Sequence, residues 1–499
     1  MFYFSISFYI VVGTKLYCFA ISTKQLYLIC VKFILLANNS LQIAAILPNK
    51  SNNFVGNMII NQETKDFISR HSDEDVRKVA LSGKPAESVD LPFALQQIAG
   101  RQTAKTKLPS WYAAEDVIFP PHISMEQCSS EQTAEYKVAV LQSVMGQPFT
   151  IHYEAKKCHF IDFTGGFGVD FSYMAKPFSS ATYIERQEHL CDIAQHNLPL
   201  LGLKDAEVVC TDSVEAMRKL SDYAHGKPLV VFMDPARRDT NGQRTYAIAD
   251  CTPDVTSCID DLLRQTQVVM IKLSPMLDWH SAVRELNDAA QSHDAVREIH
   301  IVSVGNECKE LLLLLSDKYS SPLSLHCVND AEKFVIHGVS AEDNAIVSAT
   351  AEASSHDSEA EGDRKQGNQT IFEAQYLYVP NASVMKAGCF SVLENAFPIR
   401  QISLNSHLFF ADTMVERFPG RAFRVRTVTT MNKKELRKAL DGVTKANIAT
   451  RNFPISPENL RKKLKLKDGG ETYIFATTTA DNDHILIVCD KNNMQKLYK

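Results

Sequence analysis

"FIDFTGGFGVDFSYMA", residues 160–175, decides how this chain is read. An apolar run ends at Asp162, glycines follow at 165, 166 and 168, and an apolar segment resumes at Val169. That is the pattern of a strand, a tight loop and a helix. The glycines let backbone N–H groups approach a ligand closely, and the helix N-terminus that follows favours anionic or electron-rich groups. Such a loop also serves plain helix–strand packing, so the strands after it carry the weight. "ATYIE" ends at Glu185, seventeen residues after Gly168. An acid there can accept hydrogen bonds from both hydroxyls of a ribose. "AEVVCTDS" ends at Thr211-Asp212-Ser213, where an acid can receive an adenine amino group. "LVVFMDPARRD" brings a fourth run to Asp234-Pro235, followed by Arg237 and Arg238. Four consecutive strands, each delivering an acid at its carboxyl end, describe a site better than they describe packing.

From about residue 158 there are six apolar runs, "HFIDF", "ATYIE", "AEVVCT", "LVVFMD", "VVMIKLS" and "EIHIVSV", separated by polar helical stretches. The alternation predicts an α/β domain over 151–339: a mainly parallel sheet with helices on both faces. Residues 58–150 show apolar spacings of three and four and read as a helical N-terminal region, with Ser129-Ser130 opening one helix. Residues 340–370, rich in Ser, Ala and acids, read as a flexible acidic linker. Compact patterning resumes over 371–426. The segment 427–499 ends in two strands around a turn at Asp481-Asn482-Asp483.

The 499 residues are 45% hydrophobic and 22% charged, ordinary values for a globular protein. A net charge of −5 gives no global basic field, so any nucleic-acid site must be local. The 12 cysteines include no CxxC pair, which indicates neither a zinc site nor a disulfide framework and fits a reduced cytoplasmic setting. No metal is expected from spacing. Residues 1–57 contain no Asp, Glu or Arg, and only Lys15, Lys24, Lys32 and Lys50 carry charge. No uncharged run among them reaches the ~20 residues of a spanning helix. This apolar segment reads as an upstream extension, such as a mis-called start, in preference to a true anchor, and no stable membrane association is expected.

The Gly-rich loop, second-strand acid, third-strand Asp and fourth-strand Asp-Pro, in that order, resemble a class I S-adenosylmethionine-dependent methyltransferase. From about Met58 the chain further resembles a bacterial methyltransferase family with a helical N-terminal region, a ferredoxin-like piece and a C-terminal THUMP-like domain. "DFTGGFGVD", "EQCSSEQTAEYK", "DPARRD", "YAIADCTPDV", "KLSPMLD", "VPNASVMKAG", "FPGR" and "RNFPISPENLRKKLKLKDGG" carry that resemblance. It implies that Asp162, Gly165, Gly166 and Gly168 cradle the methionine moiety of S-adenosylmethionine, that Glu185 holds the ribose and that Asp212 contacts adenine. A hydride-transfer Rossmann domain usually shows G-x-G-x-x-G, and it leaves the DPARR strand end without a role.

At the fourth strand, base-amino methyltransferases carry Asn or Asp, two prolines and an aromatic that stacks on a flipped base. Here Asp234 and Pro235 are followed by Ala236 and Arg237, so the aromatic is missing. Uracil C5 methyltransferases need a nucleophilic cysteine after the fifth strand, and "KLSPMLDW" has none, although Cys251 and Cys258 lie nearby in sequence. The expectation is direct transfer, with Asp234 orienting the acceptor or taking its proton. Arg237 and Arg238 offer bidentate contacts to a substrate phosphate, or an ion pair with Asp239. Lys272, leaving the fifth strand, is a candidate substrate contact. Asp170 reads as a helix cap or surface charge, and Asp254 as a loop or capping acid.

Residues 433–467 hold 11 Lys or Arg against four acids, counting Asp468 just beyond. Arg451, Arg461, Lys462, Lys463, Lys465 and Lys467 form a candidate phosphate-backbone patch or a solvated helix face. The THUMP-like resemblance favours RNA, tRNA or rRNA. The lead expectation is therefore an RNA base methyltransferase. The alternatives are methylation of a small molecule or protein, and an RNA-binding protein that only senses cofactor.

Overall fold

The computed structural model describes residues 6–12, 15–21, 60–82, 86–145, 154–237, 248–291, 294–340, 348–350 and 371–491. Residues 1–58 and 59–499 form two separate compact units. In the first, strands β1 (Ile6–Val12) and β2 (Lys15–Ile21) pair as an antiparallel hairpin. No helix among the described residues is long and apolar enough to cross a membrane.

The second unit opens with helices, as the periodicity predicts: Gln62–Arg70, Val76–Leu81, Leu91–Lys107, Pro109–Ala113, His122–Gln127 and Glu131–Met145. Asn61, Asp75 and Asp90 cap the first three by accepting first-turn N–H groups. Gly100 lies inside a helix because a Cβ there would stand 2.3 Å from Phe119 Cβ. Asn197 accepts from Ile118 N–H and donates to Ile118 O, pinning this region to the helix Glu188–Leu200.

The six predicted runs are strands of one sheet: β3 (His159–Asp162), β4 (Ser180–Glu185), β5 (Glu207–Cys210), β6 (Leu229–Met233), β9 (Val268–Leu273) and β10 (Val296–Val304). A two-residue ribbon, β7 (Ala236–Arg237) with β8 (Cys251–Thr252), lies between β6 and β9 in the chain. Four further strands, β11 (Glu307–Leu315), β12 (Ser324–Asn329), β13 (Glu332–His337) and β14 (Ser348–Thr350), extend the sheet. Its order is β14-β13-β12-β10-β11-β9-β6-β3-β4-β5. β5, β4, β3, β6 and β9 run parallel, and β11 enters antiparallel beside β9. The chain lays β4 and β5 on one side of β3 and β6 on the other, so the strand order reverses at β3. Ligands of open α/β sheets bind outside the carboxyl ends at such a point. Of the expected linker, residues 340 and 348–350 are described, the latter as β14 pairing with β13; 341–347 and 351–370 lie outside the described residues.

A second sheet holds β15 (Tyr376–Pro380), β16 (Arg400–Gln401), β17 (Phe409–Ala411), β18 (Gly420–Thr430), β19 (Asn447–Arg451), β20 (Thr472–Thr478) and β21 (His484–Lys491). The order is β16-β17-β15-β18-β21-β20-β19. Its helices Ala382–Ala387 and Phe390–Ala396 share a core with the first sheet, where Val384, Val392 and Leu393 join Ile299, Ile301 and Leu325. Buried Trp279 donates its indole N–H to Ala387 O at 3.1 Å across this junction.

Candidate active site

The carboxyl ends of β3, β4, β5 and β6 open into a single cleft, lined among others by Asp162, the loop 164–168, Glu185, Asp212, Asp234 and Lys272. Gly166 and Gly168 have φ of +54° and +86°, a region that disfavours side chains. Gly165 meets a different constraint: a Cβ there would lie 2.2 Å from the Tyr183 ring. The Tyr183 hydroxyl donates to Gly166 O at 2.5 Å, so the strand beside the loop holds it in place. Phe167 packs on Trp111, whose indole donates to Ser172 Oγ, tying the loop to the helical region.

Glu185 Oε2 accepts the Gly166 N–H at 2.9 Å, and Oε1 accepts the Gln187 N–H at 2.9 Å. Asp212 lines the cleft and also caps the helix Ser213–Arg218 by accepting from Val214 N–H at 2.9 Å. The helix is thus capped by Asp212 itself, while the Ser213 hydroxyl donates to Phe163 O. Asp254 caps a short turn through Thr256 N–H.

Asp162 is 1% exposed and accepts from the Thr164 N–H at 2.8 Å and hydroxyl at 3.2 Å. Burial outweighs those hydrogen bonds and pushes its carboxyl up to about 8. A carboxyl raised above its unfolded value of 3.8 adds stability in full below that pH and loses it as pH climbs through about 8. The cofactor-free protein is therefore expected to melt at lower temperature as pH rises from ~6 to ~9, and Asp162→Asn should flatten that slope. Thermal unfolding across this range measures it; an unchanged slope in the variant would refute the assignment.

At β6, Thr164 Oγ1 accepts the Asp234 N–H at 2.6 Å, and Asp234 Oδ2 takes the Lys272 ammonium at 2.5 Å. Lys272 also donates to Asp170 Oδ2 at 3.2 Å and Ser129 Oγ at 3.3 Å. Asp170 Oδ1 lies 3.1 Å from Lys137, which reaches Glu310 Oε2 at 2.7 Å. The fully buried Lys137 thus anchors a chain from Glu310 through Asp170 and Lys272 to Asp234. Asp170 is not the cap or surface charge expected of it. Burial alone would raise its carboxyl, but Lys137 and Lys272 hold it well below the usual range. Burial likewise opposes the charge on Lys272, and Asp234 and Asp170 override it, raising the ammonium well above its ordinary value. Glu310 is pushed up by burial despite both lysines.

Lys137 and Glu310 carry no site role legible in the sequence, and Ser129 and Asp170 read there only as a helix start and as a cap or surface charge. Lys137 has a local signal: it falls on the stripe of Ala134, Val140, Leu141 and Val144, where a lysine must find buried partners. Ser129 and Cys128 also line the cleft, which gives "EQCSSEQTAEYK" a place at the site. Pro235 follows Asp234 and is buried, and Arg237 pairs in β7 with Cys251. The Arg237 side chain and all of Arg238 lie outside the described residues.

The basic segment forms the helices Lys433–Ala439 and Pro457–Leu464. Both pack through Leu436, Leu440, Leu460 and Leu464 on one face of β20 and β21. Lys462, Lys463 and Lys465 are exposed, as is Arg451 at the end of β19. Arg461 is partly buried and donates to Asp468 at 2.5 Å.

Residues 420–491 match a model of a THUMP domain-like family, and 376–419 match a ferredoxin-like domain. A solved structure of a candidate methyltransferase from Porphyromonas gingivalis W83 superposes with a TM-score of 0.68 at 26% identity, covering 86% of this chain and 98% of that one. The chain has a class I methyltransferase fold with a C-terminal THUMP-like domain. An rRNA methylase from Streptococcus thermophilus is 15% identical, with a TM-score of 0.26 over 37% of this chain and 95% of its own. An O-methyltransferase from Bacillus cereus in complex with SAH is 13% identical, with a TM-score of 0.28 over 43% of this chain and 100% of its own. No curated protein matches the sequence.

Proposed function

We propose that the chain is an S-adenosylmethionine-dependent methyltransferase of the cytoplasm that modifies a base in structured RNA, tRNA or rRNA, by direct transfer at Asp234. One observation carries the reading. Asp162, Glu185, Asp212 and Asp234 meet in one cleft at the strand-order reversal, beside a loop whose glycines a Cβ would block or strain. The likeness to the Porphyromonas protein, itself described as a candidate methyltransferase, supports the same chemistry.

The donor set fits S-adenosylmethionine. Glu185 sits where ribose hydroxyls can compete for its oxygens, and Asp212 and Asp162 line the same cleft. When bound, the cofactor supplies a methyl group on a positively charged sulfur. Lys272 fixes the Asp234 carboxylate at the mouth of β6, so this oxygen pair can orient an acceptor hydrogen or receive the released proton. Covalent catalysis by cysteine is disfavoured. Burial pushes the Cys258 thiol up to about 12 and also raises Cys128, the cysteine that lines the cleft.

RNA is the substrate class favoured by the exposed lysines on two helices of the THUMP-like domain. Transfer of label from the cofactor to RNA depleted of modification, with loss of cofactor binding in Glu185→Ala, is the expected result. Label confined to a protein or metabolite fraction would sink the RNA assignment. Reversing the charge of Lys462, Lys463 and Lys465 should weaken RNA binding and reduce its salt slope by about 2–3. Arg461 should contribute less, because Asp468 already engages it.

A further inference from the structure

On the strands that extend the first sheet, β10 and β12 run parallel, with His300 opposite His326 and Glu298 opposite Ser324. Residues two apart on a strand share a face, so Glu298 and His300 point the same way, and the pairing sets His326 beside them. The two imidazoles stack with centroids 4.3 Å apart at 25°. Glu298 Oε2 lies 3.0 Å from His300 Nε2 and 3.9 Å from His326 Nε2. One donor atom from each residue falls within 4.8 Å of the other two. A metal bound at about 2.0–2.2 Å from imidazole nitrogen and carboxylate oxygen fits that triangle after small side-chain adjustments.

The surroundings match a ligand set as well. The other nitrogen of His300, Nδ1, shares a 2.8 Å hydrogen bond with the Tyr136 hydroxyl, the kind of outer partner that orients a ligating histidine. The His300 side chain is 2% exposed, whereas those of Glu298 and His326 keep about a fifth of their surface open, enough for entry and for water. The Ser324 hydroxyl, 3.0 Å from His326 Nε2, can rotate aside. The Lys333 ammonium, on β13, is engaged by the face of the Tyr136 ring at 5.6 Å. None of the three residues lines the cleft at Asp234, so the site does not depend on the proposed activity.

We propose that Glu298, His300 and His326 form a binding site for a divalent transition metal of the zinc type, with water completing its coordination. Bound there, the metal would brace β10 against β12. Sequence spacing could not show this set, because His326 lies 26 residues beyond His300 and joins it only through strand register.

The test uses the full chain, stripped with a chelator, dialysed and titrated with Zn²⁺ by calorimetry and with Co²⁺ by visible absorption. One tight equivalent is expected, with a cobalt spectrum of nitrogen and oxygen ligation. His326→Ala and the near-isosteric Glu298→Gln should each weaken that equivalent at least about tenfold while circular dichroism stays native. The proposal is overturned by no binding to the wild-type chain, by a thiolate-to-cobalt charge-transfer band, or by unchanged affinity in both folded variants.

Discussion

Asp234→Asn is expected to leave cofactor affinity within about twofold of wild type while cutting methyl transfer by at least about 10²-fold. The expectation follows from what each side chain holds. Glu185 accepts the Gly166 N–H and Asp162 the Thr164 N–H, whereas Asp234 stands at the end of β6 with its backbone N–H tied to the Thr164 hydroxyl and its carboxylate to Lys272. Asparagine keeps the shape but loses one acceptor and all capacity to take a proton. Single-turnover transfer and cofactor titration on the same preparation separate the two effects. Full turnover in the variant would remove Asp234 from the acceptor site.

Lys137→Met should cost about 3–5 kcal/mol of stability, the range for removing one partner of a buried ion pair. Lys137 is fully buried and serves both Asp170 and Glu310, so its loss takes the ion-pair partner from Glu310 and leaves Lys272 to balance Asp170 and Asp234. The double change Lys137→Met/Glu310→Gln removes one charge of each sign and should recover a large part of that loss. Chemical denaturation of the single and double variants measures this. Equal destabilisation in both would mean that packing around residue 137, not charge balance, sets the cost. Because the same chain ends on Asp234, the single variant should also slow transfer, and the double variant should restore it only in part.

The strand ends were legible because each is a local event: an apolar run stops at an acid, and parallel strands bring successive stops to one edge. Strand ends alone therefore bring Asp162, Glu185, Asp212 and Asp234 to one edge, and all four line the cleft. The charged network was not legible, since Ser129, Lys137, Asp170, Lys272 and Glu310 come from five separate elements or loops. Asp170 sits in the first turn of the helix Val169–Met174, where an acid is ordinarily explained by the helix dipole, and only the fold brings two lysines to it. Strand β11 is illegible in the sequence for a related reason. Its leucines at 311–315 are buried between β9 and β10, and a short unbroken apolar run carries no period to read.

The strand β18 falls within the THUMP-like match, yet it bonds to β15 of the ferredoxin-like match on one side and to β21 on the other. Cutting the chain at 419 would thus strip a ladder of main-chain hydrogen bonds from both fragments and leave each with a raw sheet edge, the usual nucleus of aggregation. The two segments behave as one inheritable part. A transplant that moved the basic helices onto another enzyme would have to carry residues 376–491 together, and a recombination breakpoint between them would be selected against.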